Sequence, residues 1–458
     1  MTDARRFVAL SALAAVVLSV SIAVSPATAR TVGGPDDAAL APALSGLVSG
    51  RLLIVPAGGG SPVVANAGTV SVYPVDGWPG APASTAVVGG DGTFSFAGLP
   101  AGDYEVEFIS TDTRALPVRE WFDDFRFVFD AETITLTDGV PYPFGDVVLG
   151  QRQFNQYRVA GDNRFATAVE IGLPLSPDGA DRHVIIVNGL TFPDALSAGP
   201  YAGRDASPVL MVTATSIPPE TLAELTRLDP YLITIVGGTG VVSAAVETQL
   251  KTFVPNPTDV VRVAGADRYA TSRALVTLMQ SQVPLNSLFI ATGRDFPDAL
   301  AAVPAAGAFG GAVLLVDGSR STLDTASRNL IDSLDRPVTL IGGTGSISAG
   351  IATQIAGLGV SVDRVQGASR YETAIAIADA FFPQRELTYI ATGTGFADAL
   401  AIGWWASVQR TPLTLAQPTC VPPVVLDNIH DSLVGEFFLV GGTGSLSTAV
   451  ETLTPCAP

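Results

Sequence analysis

The stretch RVAGADRYAT, Arg262–Thr271, decides the fold, because close copies of it stand at Arg158–Thr167 (RVAGDNRFAT) and Arg364–Thr373 (RVQGASRYET). The leading arginines are 104 and 102 residues apart. Two further blocks follow each copy in the same order. FPDAL occurs at Phe192–Leu196 and Phe296–Leu300, with FADAL at Phe396–Leu400. A VGGTG or IGGTG turn occurs at Val236–Gly240, Ile341–Gly345 and Val440–Gly444. Three ordered blocks at a near-constant period make an internal repeat. Within a copy, runs such as Leu288–Ala291 and Val338–Ile341 lack polar alternation, as buried parallel strands do. Ala270–Met279 and Leu323–Leu334 read as helices between them. The pattern predicts three α/β units, each long enough for its own core. Three related units invite pseudo-three-fold packing within one chain.

Each block sits where a strand hands over to a helix. In the GGTG turns the glycines Gly238, Gly240, Gly343, Gly345, Gly442 and Gly444 would let an anion reach backbone amides at a helix N-terminus. Ser243, Ser348 and Ser447 stand where an N-cap belongs. No Gly-Lys-Ser/Thr follows and the G-x-G-x-x-G spacing is missing, so a nucleotide loop is not indicated. In the second block Asp194, Asp298 and Asp398 fall at helix starts, which favours a stabilising role at the positive end of the dipole. The sequence places no other acid, base or nucleophile beside them, so no general acid/base pair is expected. The first block sets two arginines six residues apart: Arg158/Arg164, Arg262/Arg268 and Arg364/Arg370. They read equally as ion pairs to the aspartates or as anion-binding guanidiniums.

Outward from the repeats, the N-terminal third has another character. Met1–Ala29 reads as a secretory signal: Arg5 and Arg6, an apolar run Phe7–Val24, then Ala27-Thr28-Ala29 as the cleavage site. Residues 30–45 read as a linker. From 46 to 150 the pattern is period 2 with Gly and Pro turns, which predicts a small antiparallel β-sandwich. Its segment GDGTFSFAGLPAGDYEVEFIS, 90–110, resembles prealbumin-like, carboxypeptidase regulatory-like modules, which implies core positions for Phe94, Phe96 and Tyr104. Trp121, Phe122, Phe125, Phe127 and Phe129 form an aromatic cluster read first as packing. The two cysteines, Cys420 and Cys456, could close a 36-residue loop in an oxidising compartment. With only His183 and His430 besides, no metal site or other cofactor is expected. The 458-residue chain has 43 acidic against 25 basic side chains, a formal net charge of −18, which argues against general nucleic-acid binding. No later apolar run is long enough to span a bilayer.

Taken together, the three blocks resemble the cell wall-binding repeat type 2 of Gram-positive bacteria, over roughly Tyr157–Leu453. The resemblance implies Toprim-like or Rossmann-like domains closed into a pseudo-trimeric ring, here 151–256, 257–360 and 361–458. It also implies non-covalent attachment to an anionic wall polymer, teichoic-acid-like or a secondary polysaccharide, at grooves between neighbouring domains. The family's Pro-Ile-Leu-Leu motif is matched imperfectly by Pro208–Met211, Ala312–Leu315 and Pro412–Leu415. The expected protein is a monomeric, wall-associated surface protein that displays its sandwich. The rival readings are a peptidoglycan hydrolase of amidase type and a glycan-binding adhesin. Neither a catalytic constellation nor a spare domain for one is found.

Overall fold

The computed structural model describes residues 46–54, 61–75, 82–112, 118–121, 133–138, 140–149, 155–173, 182–191, 194–383, 385–431 and 434–457. The signal and linker segments lie outside the described residues, as do Phe122, Phe125, Phe127, Phe129, Phe192 and Pro193. The described chain separates into two compact units, one holding the strands up to Leu149 and one holding the strands from Asn155 onward.

The first unit contains β1 (Gly46–Ile54), β2 (Val63–Val64), β3 (Gly68–Pro74), β4 (Ser84–Val87), β5 (Thr93–Leu99), β6 (Gly102–Ser110), β7 (Val118–Trp121), β8 (Ile134–Leu136) and β9 (Tyr142–Leu149). One sheet runs β2-β1-β5 with β9 on β1; the other runs β4-β3-β6-β7 with β8 on β6. Alternation works as period 2 requires: Phe94, Phe96 and Leu99 of β5 and Tyr104, Val106 and Phe108 of β6 are buried. Phe94 packs edge-on against both Phe96 and Phe108. The expectation of a wholly antiparallel sandwich needs correction. β1 and β9 pair in parallel, from Val48 opposite Tyr142 to Ile54 opposite Leu149. Strands β6 to β8 lie in the second sheet, so the chain crosses back and enters beside β1 in the same direction.

The second unit contains β10 (Asn155–Val159), β11 (Arg182–Asn188), β12 (Val209–Val212), β13 (Pro230–Val236), β14 (Val260–Val263), β15 (Leu288–Thr292), β16 (Ala312–Val316), β17 (Val338–Ile341), β18 (Val362–Val365), β19 (Leu387–Thr392), β20 (Leu413–Ala416) and β21 (Glu436–Val440). They form three four-stranded parallel sheets of one topology: β12-β11-β13-β14, β16-β15-β17-β18 and β20-β19-β21-β10. The strand that opens each sequence repeat is hydrogen-bonded in the sheet of another. β14 pairs with β13 of repeat 1, β18 with β17 of repeat 2, and β10 with β21 of repeat 3. The start of the repeat region is thereby tied to its end, Asn155–Val159 lying beside Glu436–Val440.

Three equivalent helices meet inside this unit: Ala198–Gly203, Pro297–Ala308 and Ala397–Val408. Small residues bring them together. A β-carbon on Gly203 would come within 2.8 Å of Ser407 Cβ, and one on Gly403 within 2.9 Å of Val303 Cγ1. Ser407 Oγ donates to the carbonyls of Val303 (3.1 Å) and Gly403 (2.9 Å), satisfying a hydroxyl in a dry interior. Trp404, entirely buried, and Trp405 fill the space beside them. Peripheral arginines cross between repeats: Arg204 donates to the Met279 carbonyl (2.7 Å) and Arg410 to that of Ala308 (3.2 Å). Cys420 and Cys456 are disulfide-bonded, and the Cys456 amide donates to the Val421 carbonyl (2.9 Å), fastening the end of repeat 3.

Candidate functional site

The first block is a loop folded tightly over a helix start. A β-carbon on Gly161, Gly265 or Gly367 would overlap the helix residue five positions later, Ala166, Ala270 or Glu372. The amides of these glycines donate to the hydroxyls of Thr167, Thr271 and Thr373, at 3.1, 3.0 and 3.1 Å. Asn163, Asp267 and Ser369 cap the helices that begin at Arg164, Arg268 and Arg370. The glycine, the threonine and the cap thus form one structural device. The aromatic residues pack against the turn that ends the next strand: a β-carbon on Gly293 or Gly393 would stand 2.7 Å from Tyr269 or Tyr371 Cε1.

The paired arginines separate into two kinds. Arg158, Arg262 and Arg364 lie on β10, β14 and β18 and donate to the carbonyls of Gly441 (2.7 Å), Gly237 (2.6 Å) and Gly342 (2.6 Å), the first glycine of each GGTG turn. Arg262 also pairs with Glu247 (2.8 Å), Arg158 approaches Glu451 (3.5 Å), and Arg364 donates to the Ile347 carbonyl (3.0 Å). These three are clamps within the sheets, a correction to the anion-binding reading of all six. Their donors are spent on carbonyls because a strand arginine beside a tight turn meets the turn's own unpaired oxygens first.

Arg164, Arg268 and Arg370 are placed differently. Each donates once to the turn after the central strand, to Gly189 (2.8 Å), Gly293 (2.7 Å) and Gly393 respectively. The guanidinium then reaches the FPDAL block of another repeat. Arg164 lies 5.8 Å over the Phe396 ring, and Arg370 lies 5.8 Å over the Phe296 ring. Arg370 also approaches Asp295 (3.5 Å).

The aspartates complete these junctions. Asp298 and Asp398 are the second residues of twelve-residue helices, and Asp194 caps a 3-10 turn at Ala195–Ser197. Pro297 takes the first helical position. Ser346 Oγ donates to Asp298 (2.9 Å). Gly237, Gly342 and Gly441 adopt φ of +113°, +99° and +105°, and a side chain there would run into Asp194, Asp298 or Asp398. Burial pushes all three carboxyls above the ordinary 3.8, while hydrogen bonds from Thr271, Ser346 and Ser445 and the charges of Arg268, Arg370 and Arg164 pull them back. The sequence places no second acid near them, but Asp267 raises Asp194 across the junction and Asp295 raises Asp298. Asp267 reaches Asp194 from another repeat, which is why no sequence window shows that pair.

The glycines named from sequence lie one and three positions beyond the strained one. A β-carbon on Gly238, Gly240, Gly345, Gly442 or Gly444 would meet nothing within 4 Å, and one on Gly343 only Gln366 Oε1 at 3.5 Å. Packing does not require glycine there; the turns present bare backbone. Ser243 and Ser348 cap as expected, whereas Ser447 makes no side-chain cap, its helix being a single turn, Thr448–Glu451. Between repeats 2 and 3 these groups line a cleft of about 290 Å³, bounded by Asp295, Asp298, Gly343, Gly345, Ser346 and Arg370.

A pH dependence follows. A folded-state pKa above the unfolded one adds stability at low pH that is lost as pH rises through it. The repeat unit therefore gains stability as pH falls from neutrality towards 4. Thermal melts should rise over that window, and Asp298→Asn should flatten the rise. A melting temperature that falls steadily below pH 7 would contradict the assignment.

Among the described residues no helix is long and apolar enough to cross a membrane, and no group of three His, Cys, Asp or Glu could hold a metal ion. Comparison with known proteins gives three matches to the family described as cell wall binding domain 2, at 158–247, 262–352 and 364–451. Each match begins at the first arginine of a repeat. The chain is 27% identical over 294 residues to an N-acetylmuramoyl-L-alanine amidase, LytC, of Bacillus subtilis, covering 64% of this chain and 56% of that protein. It is 29% identical over 305 residues to an amidase enhancer of the same organism, covering 64% and 41%. The chain thus spans only about half the length of these relatives. Among solved structures it is similar in fold to Cwp6 from Clostridium difficile, with a TM-score of 0.61, 21% identity, and coverage of 90% of this chain and 68% of that one. It is also similar to Cwp8 from the same organism, at 0.59, 20%, 78% and 59%.

Proposed function

The chain belongs to the cell wall binding domain 2 family, and from that premise we propose that it is an exported surface protein anchored non-covalently to an anionic polymer of a Gram-positive wall. The observation that carries this reading is the coincidence of the matched repeats with junctions where a guanidinium, a bare-backbone turn and a cleft meet. Three Toprim-like domains would close into a pseudo-trimeric ring, a reading supported by the parallel pairing of β10 with β21. The contacts would be Arg164, Arg268 and Arg370 with the amides of the GGTG turns, charge-assisted and bidentate where geometry allows. Three weak sites along one polymer raise the effective affinity without any new kind of contact. Signal removal would leave no membrane span, and the sandwich would be displayed outward.

The amidase named among the relatives matches this chain over the region that carries the repeats, which favours anchoring over hydrolysis here. Incubation of the purified protein with Gram-positive walls tests both at once. Anchoring predicts that the protein sediments with the wall and that no muropeptides are released. Release of muropeptides, or failure to sediment, would overturn it.

A further inference from the structure

The three junctions share a plan but differ in charge. Between repeats 1 and 2, Arg268 serves Asp194, with Asp267 adding a like charge. Between repeats 2 and 3, Arg370 approaches Asp295 (3.5 Å) beside Asp298. Between repeats 3 and 1, Arg164 alone answers Asp398, and no second carboxylate acts on that aspartate. The positions explain this. Asp267 corresponds to Asn163 in repeat 1, and Asp295 corresponds to Gly395 in repeat 3. Both acid positions are therefore neutral at the junction that Arg164 builds. Among the described residues Arg164 makes no salt bridge: it donates to the Gly189 carbonyl and lies over Phe396. The other charges nearby face away from that role. Glu220 accepts from Asn163 (2.7 Å), and Asp162 is exposed on the loop before the cap.

We propose that the three junctions are unequal, and that the one closing repeat 3 onto repeat 1, built on Arg164, Asn163 and Gly395, makes the principal contact with the acidic groups of the wall polymer. This rests on the anchoring reading above and adds which junction carries it. A guanidinium already facing a carboxylate must exchange that partner for a phosphate or carboxylate of the ligand, so little is gained. At Arg164 the ligand's anion is the first full charge to arrive. The principal site also exists only in the closed chain, because Arg164 follows directly on β10.

The asymmetry is testable by moving the acid. A β-carbon on Gly395 would stand 3.3 Å from the Thr392 methyl, and its φ is outside the left-handed region, so Gly395→Asp is accommodated by a small shift. Affinity of the full chain for native walls would be measured by sedimentation, with melting curves for each variant. We expect Arg164→Gln and Gly395→Asp each to weaken binding about tenfold, and Arg370→Gln less than about twofold. Asp295→Gly, which releases Arg370, should strengthen binding about threefold. Soluble glycerol phosphate oligomers and oligogalacturonate, added separately as competitors, tell a phosphate contact from a carboxylate one; displacement by neither overturns the contact. Equal losses for all three second arginines, or a folded Gly395→Asp variant with unchanged affinity, would also overturn the proposal. If the unaltered protein binds polymer-stripped walls as well as native ones, the anchoring reading fails instead.

Discussion

Deletion of Asn155–Val159 is expected to open the repeat unit and to remove most of its cooperative stability. These five residues pair in parallel with Glu436–Val440, and the ladder continues with the Gly441 amide donating to the Val159 carbonyl (2.9 Å). Tyr157 stacks on Phe438 with ring centroids 4.8 Å apart. Arg158 holds the Gly441 carbonyl. Losing the strand would uncover the edge of β21, whose Phe437, Leu439 and Val440 are buried, and leave an unpaired row of amides and carbonyls. At about 1 kcal/mol per net hydrogen bond, with the exposed apolar area added, the loss is of the order of 5 kcal/mol or more. Calorimetry should show the repeat transition broadened and shifted down by ten degrees or so, since about 1 kcal/mol moves a large domain by roughly 2–4 °C. Size-exclusion chromatography should show dimers or larger species, as exposed edges seek a second copy. An unshifted transition in a monomeric variant would mean that β10 is an accessory and that the repeats do not depend on closure.

The second large effect lies at the meeting of the three central helices. A β-carbon on Gly199 would overlap Val303 Cγ1, and one on Gly307 would overlap Ser407 Oγ. Neither neighbour can withdraw easily. Val303 is 1% exposed, and Ser407 is fixed by its two hydrogen bonds. Gly307→Leu should therefore destabilise by at least about 3 kcal/mol, at the upper end for overpacking a tight core. Gly199→Ala should be milder and should be rescued by Val303→Ala, which removes the methyl groups it strikes. The double-mutant cycle would then give a coupling of about 1 kcal/mol or more. Additive losses would show that the helices can separate slightly, and that the junctions are not held in register by this contact.

Much of this architecture could be read from the residues because each repeat says it again. Leu288–Ala291 and Val338–Ile341 are strands β15 and β17, extended by one residue or not at all, and the helix read at Ala270–Met279 lies inside Arg268–Gln282. Apolar runs without alternation admit few other solutions when glycine turns bound them. Three features were beyond a sequence window. Nothing local says that Val260–Val263 completes the sheet of the repeat before it, since a parallel strand chooses its partner by tertiary packing. For the same reason the period-2 segments of the sandwich could not reveal that β1 and β9 run parallel. The six arginines looked alike because identical motif positions carry no record of what they face. Only the folded turn shows that Arg158, Arg262 and Arg364 meet carbonyls while Arg164, Arg268 and Arg370 reach another repeat. A signal was nevertheless present. The threonine ending each first block and the first glycine of each GGTG turn recur in all three copies, and they proved to be the loop clasp and the positive-φ seat beneath the aspartate.

The measurement that tests the central claim most directly is sedimentation of the full-length protein with two preparations of one wall. One is native; the other has its anionic secondary polymers stripped while the peptidoglycan is left intact. Adding released polymer to the native sample completes the comparison. Polymer anchoring through the junctions predicts binding to native wall, loss of binding to stripped wall, displacement by free polymer, and weakening as salt rises. Equal binding to both preparations, undisturbed by free polymer, would contradict it and place the contact on peptidoglycan itself.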